Sequence, residues 1–199
     1  MAEALLFNRW STEGIKVEDK GLQRYISLQP IVLPRTFGRN VKSIFWKSKN
    51  HIVERLIMRL MVPGHKGKKH KITSGHCSGK ASNKYFIVLK CFEIIESKLK
   101  KNPVEVFVKS IENAAPREEI TTIEYGGARY PKAVECSPQR RIDIALRMMV
   151  QGAYAKAFNS KTKIEQALAD EIIKAYNLDQ GSNAIAKKLE LERQADASR

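Results

Sequence analysis

The sequence predicts a mainly α protein: a helical-bundle body of about six helices from which a two-stranded β-hairpin arm protrudes. Three observations carry that expectation. Apolar residues recur at helical spacing in six separate stretches, two of those stretches open on a cap residue followed by proline, and Gly126-Gly127 stands between two β-favouring runs. With 199 residues, 43% hydrophobic and 29% charged, the chain has enough apolar material for one core, hence one domain with appendages.

Residues 1–47 mix Gly14, Gly21, Pro30, Pro34 and Gly38 with short apolar clusters and hold no sustained period. They read as an N-terminal extension that orders on contact, and residues 48–199 as the helical domain. The first helix is expected from about Asn50 to Val62, where Ile52, Val53, Leu56, Ile57, Leu60 and Met61 share a face, Arg55 and Arg59 leave by another, and Pro63-Gly64 stops the run. A basic loop over 64–81 follows, with four Gly, five Lys and almost nothing apolar. From Ser82 to about Lys101, Tyr85, Val88, Leu89, Phe92, Ile95 and Leu99 form a stripe thickened by Ile87, Cys91 and Ile94, the width of a central helix. Asn102-Pro103 opens the next, with Val104, Phe107, Val108, Ile111 and Ala115 in register.

The arm spans 118–136. Ile120 to Tyr125 and Ala128 to Cys136 flank a Gly-Gly pair suited to a type I′ turn, which needs φ > 0 at both central positions. Pro131 is tolerated because a two-stranded ribbon is all edge. Ser137-Pro138 then opens a helix with Ile142, Leu146, Met149, Ala153 and Ala157 inward and Arg140, Arg141 and Arg147 elsewhere. Thr162-x-x-Glu165 has the form of a capping box before Ile164, Leu168, Ile172 and Tyr176. The stretch from Ser182 has only Ile185, Leu189 and Ala195 in register and reads as a tail helix whose partner lies outside the domain, with Lys188 and Glu192 as an i,i+4 pair.

Charge narrows the function. The chain carries 36 Lys+Arg against 21 Asp+Glu, net +15. Residues 35–80 alone hold 12 cations and one acid, while residues 1–34 hold four of each. A polyanionic partner follows. Arg35, Arg39, Lys42, Lys47, Lys49, Lys66, Lys68, Lys69, Lys71 and Lys80, interleaved with Phe37, Phe45 and Trp46, combine phosphate-neutralising cations with stacking surfaces, the chemistry of a nucleic-acid footprint.

Other classes find little support. No apolar run approaches the roughly 20 residues of a membrane span. Cys77, Cys91 and Cys136 are odd in number and irregularly spaced, which fits a reducing cytoplasm. His65, His70, His76 and Cys77 lack the paired spacing of a zinc site, and five nearby lysines repel a cation, so no metal or cofactor is expected. No nucleophile or P-loop motif occurs, and Glu118-Glu119 and Asp170-Glu171 read as solvated faces, so no enzyme is expected. A winged helix-turn-helix DNA regulator is the alternative of another class, since helices, a hairpin and positive charge describe it too. The cations, however, concentrate in an extension and a loop rather than on one helix.

The segments Asn113-Ala-Ala-Pro-Arg-Glu118, Tyr125-Gly-Gly-Ala-Arg-Tyr-Pro131 and Val134-Glu-Cys-Ser-Pro-Gln-Arg-Arg141 closely resemble the universal ribosomal protein seven family of the small subunit. The likeness extends to Arg9-Trp-Ser11, Leu22-Gln-Arg-Tyr-Ile26, Ile52-Val-Glu-Arg-Leu56, Asn102-Pro103, Leu168-Ala-Asp-Glu171 and Ala184-Ile-Ala-Lys-Lys188, and the extension and basic loop resemble the archaeal branch. The resemblance implies a structural constituent that binds the 3′ major (head) domain of small-subunit rRNA, nucleates head assembly, and places its hairpin near the mRNA exit channel and exit-site tRNA. It makes Tyr125, Gly126, Gly127, Ala128, Arg129 and Tyr130 the arm tip, puts Arg140 and Arg141 on the rRNA-facing surface, and gives the last helix a platform protein as neighbour. Ser43-Ile-Phe-Trp46 departs from the family's more arginine-rich pattern, which leaves Phe45 and Trp46 with two readings: stacking surface, or packing on the body.

Overall fold

The structure, a computed structural model, describes residues 4–63 and 79–199. Lys66, Lys68, Lys69 and Lys71 of the expected rRNA-binding set, and His65, His70, His76 and Cys77, lie outside those residues, as does most of the 64–81 loop.

Six α-helices and one antiparallel hairpin form the described chain: α1 Ile52–Met61, α2 Ala81–Leu99, α3 Pro103–Ala114, β1 Glu118–Tyr125, β2 Ala128–Glu135, α4 Pro138–Ala157, α5 Ile164–Tyr176 and α6 Asn183–Asp196. This is the helical body with a hairpin arm that the sequence leads one to expect. The central position belongs to α5 rather than α2, because α5 packs against α2, α3, α4 and α6. Its buried Ala167, Ala169 and Ala175 let neighbours approach from several sides, with Leu168 and Ile172 filling the space between. Where α4 passes this centre it carries Gly152. A Cβ there would stand 2.8 Å from Asn183 Cβ and 3.0 Å from the Glu171 carboxyl carbon, so the close approach requires glycine.

Local chemistry sets several helix starts. The Asn102 side chain accepts from Val104 N at 3.0 Å, with Pro103 at the first helical position. Ser182 likewise accepts from Ala184 N. At α1 the cap is His51, whose Nδ1 accepts from Val53 N at 3.2 Å. Burial pushes the His51 pKa down to about 4, so the ring is neutral and its Nδ1 lone pair is free to cap. The capping box expected at Thr162 does not form, because α5 begins one residue later behind Lys163 and no side chain caps it. Ser137 does precede α4 as its N-cap residue, without a capping bond from its hydroxyl.

Two expectations are overturned by packing. Leu6, Phe7, Trp10, Leu22 and Ile26 are buried in the main core, with Phe7 and Trp10 set edge-on to Phe92 at centroid distances of 6.2 and 5.8 Å. The first half of the extension is therefore part of the body and needs no external contact to have a partner. Nor is α6 left without one. Ala184, Ile185 and Ala195 are buried, and the helix lies against α4, α3 and the hairpin base. Lys188 and Glu192 do not pair along the helix. Each reaches across it, Lys188 Nζ to Asn113 O at 2.9 Å and Glu192 Oε1 accepting from Arg117 N at 3.1 Å.

Asp170-Glu171 is not a solvated face throughout. Glu171 is fully buried, takes the Lys156 ammonium at 2.6 Å and Ser182 Oγ at 2.8 Å, and accepts from Asn183 N at the start of α6. A carboxylate at a helix N-terminus satisfies amides that have no partner within the helix and complements the helix dipole. Cys91 and Cys136 are free and buried, and burial raises both thiol pKa values, that of Cys136 to about 11, which keeps them protonated and unreactive. Among the described residues no cluster of His, Cys, Asp and Glu is arranged to hold a metal, and no helix is long and apolar enough to cross a membrane.

Candidate nucleic-acid interface

The second half of the extension stays on the surface. It forms two short 3-10 turns, Arg39–Lys42 and Trp46–Lys49, neither with a buried residue. Phe37 is 73% exposed, Phe45 66% and Trp46 39%, so these rings are not core. Arg35 places its guanidinium 4.5 Å from the Phe37 ring centre, and Lys49 its ammonium 5.5 Å from that of Trp46. Arg39, Lys42 and Lys80 are exposed, Lys80 at the start of α2. Aromatic faces and free cations thus share one strip of surface.

Beside this strip, α1 packs against α4 and their polar flanks meet. Arg55 and Arg59 lie four residues apart on α1, while Arg140, Asp143 and Arg147 occupy one side of α4, as residues three and four apart must. A cavity of about 280 Å³ opens between them, lined by Lys47, Arg55, Arg59, Asp143, Arg147 and neighbours. A second depression of about 400 Å³, lined by Phe45, Lys47, Arg140, Asp143 and Arg147 among others, adjoins it. Among the described residues Asp143 is the one carboxylate lining the two. It accepts from Arg55 at 3.0 Å and also takes the Lys47 ammonium. Arg55 is further held by Tyr25 O at 3.0 Å. Burial and then the charge of Arg147 lower the Arg59 pKa against the opposing pull of Asp143, and Arg59 Nε is buried without a hydrogen-bond partner. One acid among several cations leaves the seam with positive charge that only an external anion can neutralise.

Arg140 and Arg141 are placed differently from what their position in a helix first turn implies. Such cations oppose the helix dipole and, read from sequence, call for an external anion. Both have internal partners instead. Arg140 makes a two-pronged contact with Glu119 on the hairpin, 2.5 and 2.7 Å, and Arg141 donates to Asp19 at 2.7 Å and Pro116 O at 3.0 Å. Burial opposes ionisation of Asp19, but hydrogen bonds from Arg141 and Gly21 and the charges of Arg141 and Arg117 outweigh it and hold its carboxyl below the usual range. Arg140 keeps an exposed guanidinium edge beside the seam, whereas Arg141 is largely covered.

The hairpin divides into a braced base and a free tip. Arg199 grips Glu118 at 2.7 and 2.8 Å, and α6 lies against both strands. Pairing runs from Glu118↔Glu135 to Tyr125↔Ala128, with Pro131 opposite Thr122. Gly126 and Gly127 have φ of 58° and 80°, the type I′ turn read from the sequence. Residues 121–132 are all exposed, Tyr125 at 81%, so Tyr125, Ala128, Arg129 and Tyr130 stand clear of the body, Arg129 against Glu124 at 3.4 Å.

The family model for ribosomal protein S7p/S5e matches residues 22–199, which include α1, the seam and the whole hairpin. The chain belongs to that family. It is similar to the small ribosomal subunit protein uS7 of Nanoarchaeum equitans, 57% identical over 194 residues and 98% of both chains, and to those of Methanothermobacter thermautotrophicus and Methanosphaera stadtmanae, each 46% identical over 190 residues and 96% of both chains. The archaeal type expected from the sequence is therefore the right one. As an S7p/S5e protein the chain is a structural, non-enzymatic constituent of the small subunit of the cytoplasmic ribosome, with ribosomal RNA and ribosomal proteins as partners. The DNA-regulator alternative has no support left. Sequence reading did not single out Arg59 and Arg147 as site residues. Their signal was present: both lie off the apolar stripe of their helices, at spacings that repeat Arg55 and Arg140.

Proposed function

We propose that the chain binds and orders the 3′ major (head) domain of small-subunit rRNA, nucleates assembly of the head, and holds the tip of β1–β2 at the mRNA exit channel beside exit-site tRNA, with α6 facing a platform protein. The observation that carries the RNA-binding part is the α1–α4 seam, where Lys47, Arg55, Arg59 and Arg147 surround one carboxylate and Arg59 Nε has no partner. Phosphate oxygens supply the negative charge that a single carboxylate cannot. The exposed strip with Arg35, Arg39, Lys42, Lys49, Phe37 and Phe45 extends the same surface. In this reading Arg140 contacts RNA with its outer edge, and Arg141 acts by bracing the junction of extension, α4 and hairpin.

Hydroxyl-radical footprinting of a 3′ major domain transcript with the full chain tests it. Wild type protects a defined set of backbone positions, and the Arg59→Ala/Arg147→Ala variant loses part of that set. The variant also flattens the dependence of log affinity on log salt by about one unit for each phosphate contact removed. An unchanged footprint and slope overturn the assignment. Shortening the hairpin between Ile123 and Ala133 leaves both unchanged and alters exit-tRNA retention in assembled subunits.

A further inference from the structure

Arg140 belongs to two surfaces at once. It lines the depression beside the seam together with Phe45, Lys47 and Arg147, and it holds Glu119, the second residue of β1. That contact runs from Nε to one carboxylate oxygen at 2.5 Å and from Nη2 to the other at 2.7 Å. A guanidinium carries five N–H donors, so the fork takes two and leaves three. Those three have no hydrogen-bond partner among the described residues, and Asp143, the carboxylate nearby, is taken by Arg55 and Lys47. The Arg140 side chain is 54% exposed and that of Glu119 only 16%. The carboxylate is fully engaged inside the protein, whereas the guanidinium still has an outer edge to offer.

The place of this fork on the arm gives it leverage. Two parallel hydrogen bonds resist rotation about either one, so they fix direction as well as distance. Glu119 pairs with Val134 at the arm's base, six residues before Tyr125, which at about 3.4 Å per residue puts the turn about 20 Å away. A tilt of about 10° at the base therefore carries the tip sideways by about 3.5 Å, more than a contact at the tip survives. The other brace, Arg199 on Glu118, grips the opposite side, since successive strand residues face opposite ways, and Arg199 lines neither hollow of the seam. We propose that Arg140 is a positioning residue that registers the arm against the ribosomal RNA: one edge of its guanidinium holds Glu119 while the other takes a backbone phosphate, so a single side chain ties the RNA strand at the seam to the direction of the tip. The phosphate takes the vacant donors rather than displacing Glu119, which its two bonds and its cover hold in place. The proposal rests on the reading of the chain as an rRNA-binding protein and adds to it a mechanical link between the RNA-binding surface and the arm.

Two measurements on the full chain test it together: backbone footprinting with salt titration on the 3′ major domain transcript, and photo-cross-linking in reconstituted small subunits from p-benzoylphenylalanine placed at Tyr130. The unsubstituted background protects the backbone and cross-links to one narrow set of neighbours. Glu119→Gln, whose side-chain NH₂ faces one of the two arginine donors, breaks the fork and spares the phosphate contact. Its footprint and salt slope stay as in wild type, while cross-links lose yield at the wild-type positions and spread to others. Arg140→Ala cuts both sides of the link: the cross-links spread in the same way, a backbone protection is lost, and the salt slope falls by about one unit. If both variants cross-link as wild type does while wild type keeps its footprint, the arm is set without Arg140, and the proposal falls while the RNA-binding reading stands. If Arg140→Ala spreads the cross-links but keeps the full footprint and slope, Arg140 braces the arm without touching RNA, and the link is overturned. If wild type shows no footprint and no salt dependence, both readings fall.

Discussion

The two halves of the N-terminal extension carry apolar side chains in similar proportion, ten in residues 5–28 and six in residues 33–49, and meet opposite fates. In residues 5–28, Leu6, Trp10, Leu22 and Ile26 are buried and three charged groups pair with the body, Arg9 with Glu93 and Glu96, Asp19 with Arg141, and Glu18 with Lys109. In residues 33–49, Leu33, Phe37, Val41, Ile44 and Phe45 are exposed, and the charges are Arg35, Arg39, Lys42, Lys47 and Lys49 with no acid among them. The balanced half contributes to stability. The unbalanced half turns most of its apolar and cationic groups outward, Lys47 with Asp143 being the exception, as a surface that serves a partner does. A hydrophobic cluster in a low-periodicity segment is thus read better together with its local charge balance than alone.

The comparison breaks first at Leu22. Leu22→Ala opens a cavity in the core and lowers stability by about 3 kcal/mol in urea unfolding, whereas Phe45→Ala in the other half changes it by less than about 0.5 kcal/mol. Equal losses would show that both halves belong to the core.

His51, at the boundary between the extension and α1, sharpens it next. The unfolded imidazole takes up a proton near pH 6.5 and the folded one only near 4, so between those values the unfolded chain holds more protons and stability falls as the solution is acidified. The loss from this residue amounts to about 2 kcal/mol between pH 7 and 5. His51→Asn, which keeps a cap acceptor without that titration, removes this part of the pH dependence of unfolding.

Arg141 and Arg140 give the finer contrast. Arg141→Ala removes the donor to Asp19 Oδ2 and to Pro116 O at a mostly covered site and costs about 1.5 kcal/mol, with Asp19→Ala largely non-additive in a double-mutant cycle. Arg140→Ala breaks an exposed pair with Glu119 and costs about 0.5 kcal/mol. A cost for Arg140 equal to that for Arg141 would place both in the brace.

Much of the architecture was legible because it is written in short-range chemistry. The Asn102-Pro103 start, the end of α1 before Pro63 and the Gly126-Gly127 turn depend on φ preferences and nearby hydrogen bonds, and neighbouring residues report those. The hairpin tip was legible for the same reason, and the cationic strip because charge accumulates along the chain. Long-range partners were not. Arg141 meets Asp19 across 122 residues, Trp10 meets Phe92, Glu171 meets the start of α6, and Arg59 meets Arg147 only because α1 and α4 pack side by side. A residue's spacing tells which face of its own helix it occupies, but whether that face meets water, a counter-charge or another helix depends on segments distant in sequence. Glu119 and Glu171, both read as solvated, became an arginine clamp and a buried helix cap through contacts that no local pattern encodes.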